Sequence, residues 1–212
     1  MSQPCRLVLA SASPARLRLL HSAGLAPEVI VSGVDEEAHI AGHADYSPAD
    51  VALELAKAKA AAVAGQLADS EGLTVVIGAD SVLDVGGIAQ GKPASTPEAR
   101  SRLEQLQGRS AVLRTGHCLI RTDTGANAAA VIATEVRFGR WTPEELEWYL
   151  ETGESLHVAG AFTLDGLSAP FMAGVVGDPG NVIGLSLPGV RDLLAELGLS
   201  WVHLNARREE QS

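Results

Sequence analysis

The chain has 212 residues, 16 Lys+Arg against 26 Asp+Glu, a formal charge of −10, 46% hydrophobic residues and 4% aromatic ones. That length supports a full hydrophobic core in one domain or in two lobes around a cleft, and the apolar content excludes a mainly disordered chain. The acidic balance excludes a nucleic-acid scaffold, which needs a basic face, yet leaves room for a small phosphorylated ligand met by a few cations.

In chain order, Arg6–Ala10 reads as a short strand, and Ser13-Pro14 opens a helix over 14–23 that Gly24 ends. A capping hydroxyl before a proline is a local start signal, because the hydroxyl accepts an orphan N–H and proline at the first position gives up no needed donor. The loop Leu9-Ala-Ser-Ala-Ser-Pro-Ala-Arg16 therefore sets two hydroxyls and an arginine at a helix N-terminus. Free N–H groups there attract anions, and an arginine in a first turn opposes the helix dipole, so it needs a reason. Arg6 followed by the short apolar stretch Leu7–Ala10 is no secretory signal. No apolar run approaches the roughly 18 residues of a membrane span, so the expectation is a cytoplasmic protein with no membrane partner. Cys5 and Cys118 read as reduced, buried thiols.

Glu28–Ser32 reads as a second strand, followed by the acids of Val34-Asp-Glu-Glu37 in a turn where one carboxylate can help hold a divalent cation. Ser47-Pro48 starts an Ala-rich helix over 48–68, with Val51, Leu55, Ala58, Ala62 and Val63 on its apolar stripe. Of its lysines, Lys57 reads as a surface residue, and Lys59 as either that or a group aimed at a ligand. Thr74–Ala79 is a strand of buried type that delivers Asp80 at its C-terminal end, where open α/β sheets place ligands. An acid after so apolar a run must be paired, hydrogen-bonded or metal-bound. Gln90-Gly-Lys-Pro93 is a stiff loop able to aim Lys92 into a cleft.

Thr96-Pro97 starts a helix over 97–107, stopped at Gly108, and Thr142-Pro143 another over 143–152, stopped at Gly153. Between them Ala111–Arg121 and Val131–Phe138 read as paired antiparallel strands. Strands at Ala161–Leu164 and Phe171–Val176, a helix over 188–197 stopped at Gly198, an edge strand at Ser200–Leu204 and a frayed charged tail from Ala206 complete the pattern. Early alternation of strands with helices, then clustered strands, indicates an α/β or mixed-sheet fold. His39 and His43 have helical metal-ligand spacing but no partner acid on the intervening turn, so no zinc site is expected.

The segments Leu9-Ala-Ser-Ala-Ser-Pro-Ala-Arg, Val34-Asp-Glu, Leu55-Ala-Lys-Ala-Lys-Ala, Ile77-Gly-Ala-Asp-Ser-Val, Gly91-Lys-Pro, Gly108-Arg, Ala159-Gly-Ala-Phe and Asn181-Val-Ile-Gly-Leu-Ser-Leu resemble, in this order, the Maf family. Wording such as Ser32-Gly-Val-Asp-Glu and Phe162-Thr-Leu-Asp-Gly is nearest to actinobacterial Maf-like proteins. The resemblance runs from about Leu7 to about Leu197. It implies an elongated mixed β-sheet with flanking helices and a deep central cleft, related to inosine triphosphatases. It implies hydrolysis of a nucleoside triphosphate to the monophosphate and pyrophosphate, a divalent metal such as Mg²⁺ or Mn²⁺, and a homodimer. Removal of modified nucleotides and arrest of cell division are associated with the family. By the same resemblance Asp80 is the catalytic proton acceptor, Glu36 an active-site acid, and Lys59 and Lys92 active-site lysines. Asp80 and Glu36 are also the metal ligands it implies, and Ser11, Ser13 and Arg16 face phosphate.

Four departures bear on substrate choice. Ala15 stands where family members carry a second arginine, Ser81 where they have Thr or Gln, Asp165 where they have Gln or Glu, and Ser186 where they have Pro. The first three sort substrates in the family, so this chain is expected to fit neither its dTTP/UTP pattern nor its 7-methyl-GTP pattern. Two rival readings stay open: a phosphatase releasing orthophosphate, and a non-catalytic regulator of septum formation.

Overall fold

The computed structural model describes residues 5–68 and 72–204. Seven strands form one mixed sheet: β1 (Arg6–Leu9), β2 (Glu28–Val29), β3 (Thr74–Val85), β4 (Ile88–Gln90), β5 (Ser110–Arg121), β6 (Asn127–Phe138) and β7 (Met172–Val176). The order is β2-β1-β3-β5-β6-β7, with β4 beside β3. β1 runs parallel to both neighbours, and every other pairing is antiparallel. The early β-loop-helix segment supplies the parallel edge, hairpins join β3 to β4 and β5 to β6, and longer helical connections bring β5 beside β3 and β7 beside β6.

Helices α1 (Pro14–Ser22), α2 (Glu36–Ile40), α3 (Pro48–Gln66), α4 (Thr96–Leu106), α5 (Pro143–Glu151), α6 (Pro179–Ile183) and α7 (Leu187–Glu196) flank the sheet. Ser13, Ser47 and Thr142 cap their helices as the sequence indicates, the last two in full capping boxes. At α4 the cap is Ser95 instead of Thr96, because Pro97 sits at the second helical position.

Among the described residues the two largest apolar cores lie along the long strands. One gathers Leu9, Ile77, Ala79, Leu119 and the inner faces of α1 and α7. The other gathers Leu83, Leu113, Phe138, Tyr149 and Phe162 beneath α4 and α5. The change from one core to the other falls between Ala79 and Leu83 of β3.

Several expectations are corrected. β3 does not end at Ala79; it continues through Val85, because β5 pairs with it as far as Asp84. Ala161–Leu164 is no strand: Ala159–Ala161 is a 3-10 turn in which Ala161 itself has φ 66°. Within Ser200–Leu204, Trp201–His203 is another such turn, and the second strand is only Glu28–Val29. The acids after it do not make a plain turn. They open α2, which Asp35 caps by accepting Ala38 N–H at 3.0 Å. The expected stripe of α3 is rotated: Ala52, Leu55, Ala56, Lys59, Ala60 and Val63 are buried, and Val51, Ala58 and Ala62 are not fully so. The tail from Ala206 lies outside the described residues. Both thiols are unpaired; burial pushes each up to about 11. Among the described residues no helix is long and apolar enough to cross a membrane.

Candidate active site

The site starts from two glycines. Gly78 on β3 and Gly116 on β5 face α3, and a Cβ on either would fall on α3 backbone: 2.3 Å from Ala56 O and 2.1 Å from Ala52 O. Without side chains at these points the helix backbone rests on the sheet. Asp80 is two residues beyond Gly78 and directly across the ladder from Gly116, so by strand alternation it faces the same helix. Lys59, on the buried stripe of α3, meets it there. Its Nζ lies 2.5 Å from Asp80 Oδ1 and 2.6 Å from Glu36 Oε1. Asp80 and Lys59 are buried, whereas Glu36 is exposed at the start of α2.

One ammonium thus bridges two carboxylates. Burial pushes the Asp80 carboxyl above the usual carboxylate range, against the pull of Lys59 and Arg16, while Glu36 adds to the rise. A carboxyl whose proton affinity is raised in this way is a better proton acceptor than an ordinary carboxylate.

β1 pairs with β3 only as far as Ile77, and β4 joins the same edge at Leu83. Among the described residues no strand borders β3 there between Gly78 and Val82. The first loop fills this gap. Ser11 Oγ accepts from Ser13 N–H at 3.2 Å and from Arg16 Nη1 at 3.0 Å. Ser13 Oγ accepts from Arg16 N–H at 3.5 Å and caps α1. The reason for an arginine in the first turn is then plain: Arg16 is turned inward and buried, and its Nε donates to Gly184 O at 2.8 Å. Burial lowers its pKa, while Asp80 and Glu36 favour its charge.

Lys92 is exposed and takes part in none of the contacts that join Glu36, Lys59 and Asp80. Its loop is nonetheless fixed: Gly91 O accepts from Gly160 N–H at 3.1 Å and from Arg102 Nη1 at 2.8 Å. The Ala159-Gly-Ala-Phe motif therefore anchors the lysine loop. Ala15 lies partly buried on α1. Asp165 lies against the same helix, 2.7 Å from Arg18 Nη2, and accepts from Thr163 Oγ1 at 2.5 Å. Burial opposes its ionisation, but the bonds from Thr163 and Arg18 hold its carboxyl below the ordinary value.

Four further residues complete the site, two of them, Asn181 and Gly184, from the closing Asn181-Val-Ile-Gly-Leu-Ser-Leu motif. Thr115 and His117 on β5 are fully buried, and at α6 Asn181 O accepts from Thr115 and Gly184 O from Arg16. His117 Nε2 accepts from Ser186 N–H at 2.9 Å. Burial, reinforced by Arg16, holds this imidazole down at about 4, so it is neutral. Asp178-Pro179 carried a helix-start signal for α6; nothing in the sequence marks Thr115 or His117.

The donors converging on Lys59 are carboxylate oxygens, which suit a hard cation. Among the described residues no group of three or more His, Cys, Asp and Glu is placed to hold a metal. Two carboxylates fit Mg²⁺ or Mn²⁺ of the kind that takes its remaining ligands from substrate phosphates and water, and do not fit an all-protein cage.

The family model described as Maf-like protein matches residues 6–197. The chain belongs to the Maf-like family. Its match to a nucleoside triphosphate pyrophosphatase of Streptomyces coelicolor is 56% identical over 205 residues and covers 97% of both chains. One of Salinispora tropica is 51% identical, covering 93% of this chain and 86% of the relative. A solved nucleoside-triphosphatase / dITP/XTP pyrophosphatase from Mycobacterium abscessus aligns over 91% of this chain and 94% of that one, at 17% identity and a TM-score of 0.40. That superposition is too loose to bear on the site. The family match covers β1 through the first residue after α7, and so includes Asp80, Lys59, Glu36 and the Arg16 loop.

Proposed function

We propose that this Maf-like chain is a nucleoside triphosphate pyrophosphatase, one domain that hydrolyses the bond between the α- and β-phosphates. The observation that carries the reading is Lys59 bridging Asp80 and Glu36 beside the buried Arg16. The names of its full-length relatives support it.

In this reading Asp80 accepts the proton of the water that attacks the α-phosphorus, and its raised proton affinity suits that task. The Pα–O–Pβ bond breaks, and pyrophosphate leaves with the bridging oxygen. Lys59, Arg16 and Lys92 offset the charge of the phosphates, with Ser11, Ser13 and the N-terminal N–H groups of α1 as further donors. Glu36 and Asp80 are the residues that would hold a divalent cation, which would supply positive charge at the phosphate oxygens.

The finer reading concerns the base. Ala15 and Asp165 depart from the family's sorting residues, which supports a profile that is not confined to dTTP and UTP. A modified nucleotide is within that profile, and a role in arresting division follows from nucleotide turnover and not from a separate docking function. The chain acts in the cytoplasm as a homodimer.

The test is a product assay with a nucleoside triphosphate and Mg²⁺ or Mn²⁺. Monophosphate and pyrophosphate in equal amounts are expected. Orthophosphate as the first product indicates the phosphatase instead, and no turnover with any triphosphate indicates the non-catalytic regulator.

A further inference from the structure

Arg16 is held at three of its nitrogens. Besides Gly184 and Ser11, its Nη2 donates to Ser81 Oγ at 3.2 Å. Ser81 Oγ lies 2.9 Å from Thr115 Oγ1, and Thr115 Oγ1 lies 2.9 Å from Asn181 O.

Counting protons fixes the direction of this chain. A guanidinium only donates, a carbonyl only accepts, and each hydroxyl has one proton. Thr115 spends its proton on the Asn181 carbonyl, so the bond between the two hydroxyls is donated by Ser81. Ser81 in turn accepts from Arg16. Within this relay the bonds point from Arg16 toward α6, and two of the three routes from Arg16, the direct one to Gly184 and the relayed one to Asn181, end on carbonyls of the same turn, while the third ends on Ser11. Thr115 is completely buried on a core strand, where a valine would fill the same space. Its hydroxyl is therefore what distinguishes the position.

We infer that Thr115 is a positioning residue: through Ser81 it fixes the direction of the Arg16 guanidinium. The inference rests on the reading of Arg16 as a phosphate-facing cation. It also reassigns Ser81, whose only proton is already committed to Thr115, from the base to the phosphate side of the site. Removing the Thr115 hydroxyl frees the Ser81 hydroxyl to turn, and the outer nitrogen of Arg16 loses its fixed acceptor.

The experiment compares kcat and KM of Thr115→Val, Thr115→Ser and Arg16→Ala over triphosphates of several bases, with melting curves of each. Thr115→Val is expected to lower kcat/KM by about tenfold, the scale of one hydrogen bond to a charged group, to the same extent for every base. Thr115→Ser restores the hydroxyl and is expected to restore the rate. In an Arg16→Ala background, Thr115→Val is expected to add no further loss. Unchanged kinetics in Thr115→Val beside a clear loss in Arg16→Ala overturn the inference alone. So does a loss that depends on the base, or one that adds fully to Arg16→Ala. Unchanged kinetics in Arg16→Ala overturn the phosphate reading and the inference with it. Should Thr115→Val not fold, Ser81→Ala breaks the same chain one link nearer Arg16; the same uniform loss supports the inference, and an altered base preference overturns it.

Discussion

Gly116 stands directly across the ladder from Asp80, and the Ala52 carbonyl occupies the space its Cβ would need. The absence of one methyl group on β5 thus lets α3 settle close enough for Lys59 to reach the acid on β3. Gly116→Ala would place a carbon 2.1 Å from backbone oxygen, which no side-chain rotation relieves. The expected loss is about 1–3 kcal/mol of stability, the usual cost of overpacking. Turnover should fall well below the folded fraction read from a melting curve. Activity that merely tracks folded protein would separate the glycine from the site.

Asp80→Asn keeps the shape of the side chain and removes its charge. Turnover is expected to drop by about 100-fold or more, as for a lost acid–base group, in a protein that stays folded. Lys59→Met tests the other half of the pair. It leaves a buried carboxylate unmatched and should cost about 3–5 kcal/mol. Adding Asp80→Asn to Lys59→Met should recover part of that stability without recovering activity. Chemical denaturation of the single and double variants reads both effects.

The exposed Lys92 gives a cleaner kinetic test, because its removal disturbs no packing. Lys92→Ala should lower kcat/KM for all nucleoside triphosphates by a similar factor, since phosphate charge is common to them. A change in base preference with no general loss would remove Lys92 from the phosphates.

Selectivity is expected to follow Asp165. Its carboxylate accepts hydrogen bonds and donates none when ionised, whereas a glutamine does both. Wild-type kcat/KM values for dTTP, UTP, CTP, GTP and 7-methyl-GTP should be spread more broadly than a dTTP/UTP pair. Asp165→Gln should shift that spread, and its loss of the part-exposed Arg18 contact should cost at most about 1 kcal/mol. An identical profile in the variant would place base recognition elsewhere.

His117 sets a pH limit on stability. Its pKa is held down at about 4 in the folded protein, against 6.5 ordinarily. The unfolded chain therefore binds a proton first as the pH falls, and stability contributed above pH 6.5 is lost progressively toward pH 4, on the order of 3 kcal/mol in all. Asp80, whose carboxyl is raised, acts in the opposite sense. The quantity to measure is the difference between the pH–stability curves of wild type and His117→Gln, which accepts from Ser186 without titrating. That difference should shrink as the pH drops from 6.5 to 4; a constant offset would contradict the buried neutral imidazole.

What the sequence revealed depended on how local the signal was. A hydroxyl before Pro14, Pro48 or Pro143 satisfies its own helix start within three residues, so those helices were legible, and Asp80 after Ile77-Gly-Ala stood out by its contrast with the strand. Lys59 reads in the sequence only as one of two options, because a stripe of alanines does not announce that a lysine shares it; its burial depends on Gly78, Gly116 and an acid 21 residues away. The Arg16 clasp reaches Gly184 across 168 residues, and no spacing rule spans that distance. Ala161–Leu164 and Ser200–Leu204 read as strands because the periodicity of a short apolar run does not tell a strand from a helical turn.

The two acids that share Lys59 stand on supports of very different firmness. Asp80 is carried by a strand that runs through both cores, so displacing it means breaking the pairing that holds the two halves together. Glu36 begins a five-residue helix with no buried residue. Local opening of that helix takes little free energy and leaves the rest intact. The exposed acid can therefore release the lysine and take it back within one folded state, while the buried acid keeps its address until the protein unfolds. Amide exchange should report this asymmetry as fast exchange across α2 and exchange limited by global unfolding at the centre of β3.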